Sequence, residues 1–163
     1  SHHELLAALV LLGMVAVIGS ALAFQHIGGY VPCKLCLEQR VPYYIGIPAV
    51  LVGTISAFAS WPALLTRGML AIGFRALCAT IALGAYHSGV EWGWWPGPDD
   101  CGAAADAAPT DASELLKQLA NAKPPACNEA AGRFIGLSFA GWNVVTAGIL
   151  AALAFRAAFG RAK

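Results

Sequence analysis

The chain has 163 residues and a formal net charge of +1, and it is 58% hydrophobic with only 12% charged residues. Soluble domains carry about 25% charged residues, so this composition excludes a mainly water-facing surface and fits a lipid-facing one. The near-zero net charge also excludes a broad basic field of the kind that gathers nucleic acid.

Four apolar runs occur in order, at residues 5–24, 41–61, 68–90 and 135–155, and only the third holds a charge, Arg75. Each is close to the roughly 20 residues that a helix needs to cross about 30 Å of hydrocarbon. The expected fold is therefore an all-α membrane protein, a four-helix transmembrane bundle forming one domain over 1–163. In the first run, Ser20-Ala21-Leu22-Ala23 resembles a signal-peptidase site. The run is longer than a signal core of roughly 7–15 residues and lacks a preceding Lys or Arg, which favours a retained helix.

Helix 1 should end near Gln25-His26, where Gly28-Gly29 breaks it. A short link then reaches Cys33, and helix 2 is expected to begin around Cys36, with Pro42 and Pro48 tolerated. Trp61-Pro62 marks a turn into helix 3, where Cys78 reads as a buried packing residue. His87 and Glu91 lie one turn apart at the far end of that helix. Polar groups at this depth are candidates for function, and His26 lies at a comparable depth on helix 1.

The polar segment 91–134 opens with Trp92, Trp94 and Trp95, residues suited to a membrane interface. Its stretch 111–122 reads as a short interfacial helix with Leu115, Leu116 and Leu119 on one face. In helix 4, Asn143 reads as interhelical glue, while Gly136, Gly141 and Gly148 are expected to allow close packing.

Four spans place the N-terminus, the 62–67 turn and the C-terminus on one side, with loops 25–40 and 91–134 on the other. Lys and Arg divide evenly between the sides, but those on the first side sit in short tails and turns. Both loops are accordingly expected outside the cytoplasm, where paired cysteines stay oxidised.

Those loops carry Cys33 and Cys36 in a Cys-x-x-Cys pair, and Cys101 and Cys127 in the long polar segment. Thiolate is the form that attacks a disulfide, and a helix start or a nearby cation lowers a thiol's pKa. Arg40, one helical turn after Cys36, supplies such a cation. A four-cysteine zinc site is the alternative, but zinc ribbons carry two Cys-x-x-Cys knuckles and the second pair here is 26 positions apart. No metal is expected. Two inert structural disulfides on a non-enzymatic membrane scaffold remain a further reading. There is no Rossmann, Walker or haem Cys-x-x-Cys-His pattern, which leaves a lipid-dissolved electron acceptor as the favoured oxidant.

Three segments resemble the DsbB family of bacterial inner-membrane disulfide-bond formation proteins. They are residues 32–40 around the Cys-x-x-Cys, Trp94-Trp95-Pro96-Gly97-Pro98 before Cys101, and Cys127-Asn128-Glu129 through Phe134-Ile135-Gly136-Leu137-Ser138 to Trp142. The resemblance implies a multi-pass protein of the bacterial inner membrane with its cysteine loops facing the periplasm. It would be an enzyme that reoxidises a periplasmic DsbA-like thioredoxin-fold partner and passes the electrons to a membrane quinone, ubiquinone or menaquinone. By position, Cys101 would form the mixed disulfide with the partner. Cys127 would be its disulfide mate and would link transiently to Cys33. Cys36 would be the thiolate facing the quinone, with Arg40 beside the quinone and His87 as the matching histidine. Gln39 stands where some relatives carry an acid. A vitamin K epoxide reductase-like bundle is the redox alternative, although its active Cys-x-x-Cys is expected in a late helix.

Overall fold

A computed structural model describes residues 2–98, 111–113, 116, 127–130 and 132–161. Four spans long and apolar enough to cross a membrane account for most of it. They are α1 (His2–His26), a second span made of α2 (Lys34–Glu38) and α3 (Val41–Phe58), α4 (Ala63–Glu91) and α5 (Phe139–Phe159). The four-helix membrane bundle read from the sequence is the observed architecture. Most of the expected interfacial helix at 111–122 lies outside the described residues.

Two boundaries move for local reasons. Pro62 is the N-cap of α4, so the expected 62–67 turn is largely the first turns of that helix. A proline is tolerated there because no intrahelical N–H bond is required of it. At the other end, residues 133–138 form a two-stranded hairpin rather than the start of the last helix. Arg133 pairs with Ser138 and Phe134 with Leu137. The turn residues Ile135 and Gly136 have φ of 52° and 80°, the two positive values that a tight two-residue hairpin requires. Ser138 then caps α5 by accepting a hydrogen bond from the Gly141 N–H.

The bundle core is built from Val10 and Met14 of α1, Val50 of α3, Leu70 and Leu77 of α4, and Ala147, Ala151 and Ala154 of α5. Lipid is as apolar as this core, so close backbone approach holds such helices together more than exclusion of water does. Glycines allow it on several faces: a Cβ on Gly73 of α4 would stand 2.2 Å from Val50 Cγ2 of α3, and one on Gly13 of α1 2.3 Å from Leu150 Cδ2 of α5. The sequence places this role on Gly136, Gly141 and Gly148. Instead Gly136 belongs to the hairpin turn, a Cβ on Gly136 or Gly148 would meet nothing within 4 Å, and the nearest atoms to one on Gly141 are those of Leu137 just before the helix, at 3.2 Å and beyond. Cys78 likewise faces outward from α4 rather than packing in the core, because an apolar side chain needs no burial where the surroundings are hydrocarbon.

The up-and-down course brings the two chain ends and the α3–α4 turn together. His3 Nδ1 donates to the Ala157 carbonyl at 2.8 Å, and Arg67 Nη2 to the Gly160 carbonyl at 3.3 Å. The opposite end of the bundle gathers the start of α2, the last turn of α4 and Cys127.

Candidate redox site

The second span is interrupted at residues 39–40, and the interruption follows from Pro42. Proline has no N–H to bond the Glu38 carbonyl. The Tyr43 N–H turns to the Arg40 carbonyl at 3.0 Å, which frees the Gln39 carbonyl from its usual partner four residues on. The Thr80 hydroxyl of α4 donates to that carbonyl at 2.9 Å, pinning the end of α2 against α4.

Helix α2 therefore starts earlier than the sequence suggests. Cys33 is its N-cap, and Cys36 lies inside it. The two sulfurs are hydrogen-bonded at 3.4 Å. His87, in the last turn of α4, places Nε2 3.7 Å from Cys33 Sγ, 3.2 Å from the Cys127 carbonyl oxygen and 3.4 Å from Glu91 Oε1. Cys33 and Cys127 are 5% and 2% exposed and belong to one apolar cluster with Leu35, Val90 and Cys36. Cys127 is disulfide-bonded, whereas Cys33 and Cys36 are free thiols. Cys101 lies outside the described residues.

The Cys33 thiol is pulled down to about 4. The main cause is the Cys36 thiol beside it, which can donate to a Cys33 thiolate. His87 and the Cys36 backbone N–H add to this, and burial works against it. The resemblance implies a thiolate on Cys36 once Cys33 is linked to Cys127; in the dithiol form it is the Cys33 thiol that is lowered.

Cys36 faces a cavity of about 330 Å³, within the usual range of small-molecule sites. Its walls come from α1, the 30–32 link, the second span and α5. Phe24, Tyr30 and Phe139 form an aromatic side, with Tyr30 edge-on to Phe139 at 5.4 Å between ring centroids. Arg40, Gln39 and Asn143 supply polar groups, and Arg40 Nη1 donates to Gln25 Oε1. His87 and His26 are not among the lining residues, and His87 stands behind the cysteine pair against Cys33.

Cys33, Cys36 and His87 bring their donor atoms within 4.8 Å of one another. A closed structural zinc site needs four ligands, and among the described residues no further Cys, His or carboxylate completes this group.

A buried polar chain surrounds the site. Tyr43 Oη donates to Asn143 Oδ1 at 2.7 Å, and Asn143 Nδ2 donates to Gln39 Oε1 and to Thr80 Oγ1, each at 3.0 Å. The gluing role expected of Asn143 is borne out. Tyr43 and Thr80 are additions that the sequence reading missed, although polar side chains within apolar spans were a usable signal.

The family model for "Disulfide bond formation protein DsbB" matches residues 3–157. Three curated relatives carry the name "Disulfide bond formation protein B". The one from Polaromonas sp. (strain JS666 / ATCC BAA-500) is 30% identical over 83% of this chain and 79% of its own length. Those from Verminephrobacter eiseniae (strain EF01-2) and Polaromonas naphthalenivorans (strain CJ2) are 38% and 33% identical over 52% and 53% of this chain. In those two alignments the chain spans about half of the relative, 46% and 50%. No solved structure matches. With a cysteine pair at the start of the second span and a third cysteine packed against it, the chain belongs to the DsbB family, as a multi-pass protein of the bacterial inner membrane.

Proposed function

We propose that this protein is a thiol:quinone oxidoreductase that reoxidises a periplasmic DsbA-like dithiol partner. The observation that carries the reading is a Cys33–Cys36 pair with disulfide-bonded Cys127 packed on one side and a cavity on the other. Cys127 packs with Cys33, while Cys36 opens onto the cavity lined by Arg40.

The relay begins when a partner thiolate attacks Cys101 of a Cys101–Cys127 disulfide, so that one S–S bond forms and another breaks. The second partner thiolate displaces Cys101, and the partner leaves oxidised. Either before or after that departure, Cys127 attacks Cys33 of an oxidised Cys33–Cys36 pair and releases Cys36. Each exchange moves two electrons and needs a thiolate as attacker.

The same geometry makes Cys33–Cys36 a willing acceptor. Whatever stabilises a reduced thiolate raises the reduction potential of its disulfide, and the Cys33 charge is stabilised by Cys36 and His87. Two adjacent thiols resist joint ionisation. Tying Cys33 to Cys127 removes the competing charge and leaves Cys36 as the sulfur that ionises toward the cavity. Arg40 holds a fixed positive charge there, suited to an oxygen gaining electron density. The apolar and aromatic walls suit a flat, lipid-soluble ring. A quinone bound there, ubiquinone or menaquinone, supplies the two-electron, two-proton sink.

Cys36→Ser tests the reading. The expected result is loss of quinone reduction, while Cys101 still forms a mixed disulfide with a reduced DsbA-like protein on a non-reducing gel. Quinone reduction at an undiminished rate in the variant overturns it.

A further inference from the structure

We infer that Gln39 is a positioning residue that locks His87 in its Nε2–H tautomer, so that His87 serves the relay as a hydrogen-bond donor to Cys33 rather than as its base. The inference rests on the proposed redox role of Cys33, but the tautomer itself follows from hydrogen-bond polarity alone.

Amide orientations and imidazole tautomers are fixed by the requirement that donors meet acceptors. Here every assignment is forced in turn. The Gln39 carbonyl can only accept, so Thr80 spends its single hydroxyl proton on it, at 2.9 Å. The Thr80 oxygen must then accept from Asn143, which fixes the facing group of Asn143 as its NH₂. That NH₂ also faces the Gln39 side chain at 3.0 Å, which must present its oxygen there. The Gln39 NH₂ is thereby turned the other way. One hydrogen goes to the Leu35 carbonyl at 3.1 Å, which independently demands a donor. The other goes to His87 Nδ1 at 2.8 Å. Nδ1 must accept and carries no proton.

In the neutral ring the proton therefore sits on Nε2. Nε2 faces the Cys127 carbonyl, which can only accept, and Cys33 Sγ and Glu91 Oε1, which accept as thiolate and carboxylate. A nitrogen that already holds its proton cannot take another from Cys33. It can hold a thiolate there as Cys33 is released from a disulfide. A second proton, on Nδ1, would meet the Gln39 amide hydrogens. To admit it, Gln39 must turn over and break its bonds to Leu35 and Asn143. With Gln39 6% and His87 2% exposed, water is poorly placed to replace those bonds.

The test is the two-bond ¹H–¹⁵N spectrum of the histidine rings in reduced, quinone-free full-length protein in detergent. The chain has four histidines, and His87 is assigned by its loss in His87→Gln. The wild-type ring is expected to show a protonated Nε2 and a bare Nδ1. Gln39→Glu keeps the side chain's size but places a carboxylate against Nδ1, and is expected to move the Nδ1 signal to the protonated position. The signals of His2, His3 and His26 should stay in place. A wild-type ring protonated at Nδ1, or a Gln39→Glu ring with the wild-type pattern, overturns the inference. The wild-type spectrum decides even if the variant does not fold. Neither measurement involves quinone or partner turnover, so failure of the redox assignment is scored separately.

Discussion

The depressed Cys33 thiol gives a prediction that can be worked through. With a midpoint near 4, about 99% of Cys33 is thiolate at pH 6; an ordinary thiol of pKa 9.0 would be about 0.1% ionised, a difference of about a thousandfold. Thiolate ultraviolet absorbance reads this in the reduced, quinone-free protein. It needs no reagent to reach a sulfur that is 5% exposed. Differencing against Cys33→Ser isolates the one group. Cys36→Ala removes the main stabilising contact and leaves the burial that opposes ionisation, so the midpoint should climb steeply. His87→Phe should move it in the same direction by less, since His87 contributes less. The sign carries to stability. A thiol depressed by folding stabilises the reduced protein above its unfolded pKa, and that contribution fades as pH falls from about 9 toward about 4. Denaturant midpoints of the reduced protein should therefore rise from pH 4 to pH 7, with a flatter profile in Cys33→Ser. A Cys33 that ionises only above pH 8 in the wild type would refute the electrostatic account of the site.

Two further outcomes follow from the cavity and the bundle. Arg40→Met keeps the aliphatic stem and removes the charge. Loss of one charge-assisted hydrogen bond is worth about 1.5–3 kcal/mol, so the KM for quinone should rise roughly ten- to a hundredfold while the KM for the dithiol partner holds; an equal change in both counts against Arg40 at the quinone. Gly73→Val forces a side chain into Val50 Cγ2, 2.2 Å from the added Cβ. Overpacking of this kind costs about 1–3 kcal/mol, and thermal unfolding in detergent should fall accordingly. An unchanged unfolding temperature would show that α3 and α4 do not approach as described.

The sequence by itself determined the number of spans, because a helix that crosses hydrocarbon must be apolar for some 20 residues whatever its neighbours are. It also determined that Cys33 and Cys36 open the second span with Arg40 one turn on, since this depends on spacing along the chain; of the second pair, the structure gathers Cys127 at the same end of the bundle. It could not decide which way a residue on an apolar helix faces. Lipid and protein core are equally apolar, so Cys78 outward and Leu77 inward carry no contrasting signal, and neither did the packing glycines of α3 and α4. The hairpin at 133–138 was hidden for a different reason: its two-residue turn is specified by backbone angles at Ile135 and Gly136, inside a run that reads as helix. Only the tertiary structure put His87 behind Cys33 instead of in the cavity, and only it joined Gln39, Thr80 and Asn143 from three spans into one directional chain. Hydrogen-bond polarity of that kind belongs to groups 41 and 104 positions apart, and it exists only once the helices have packed.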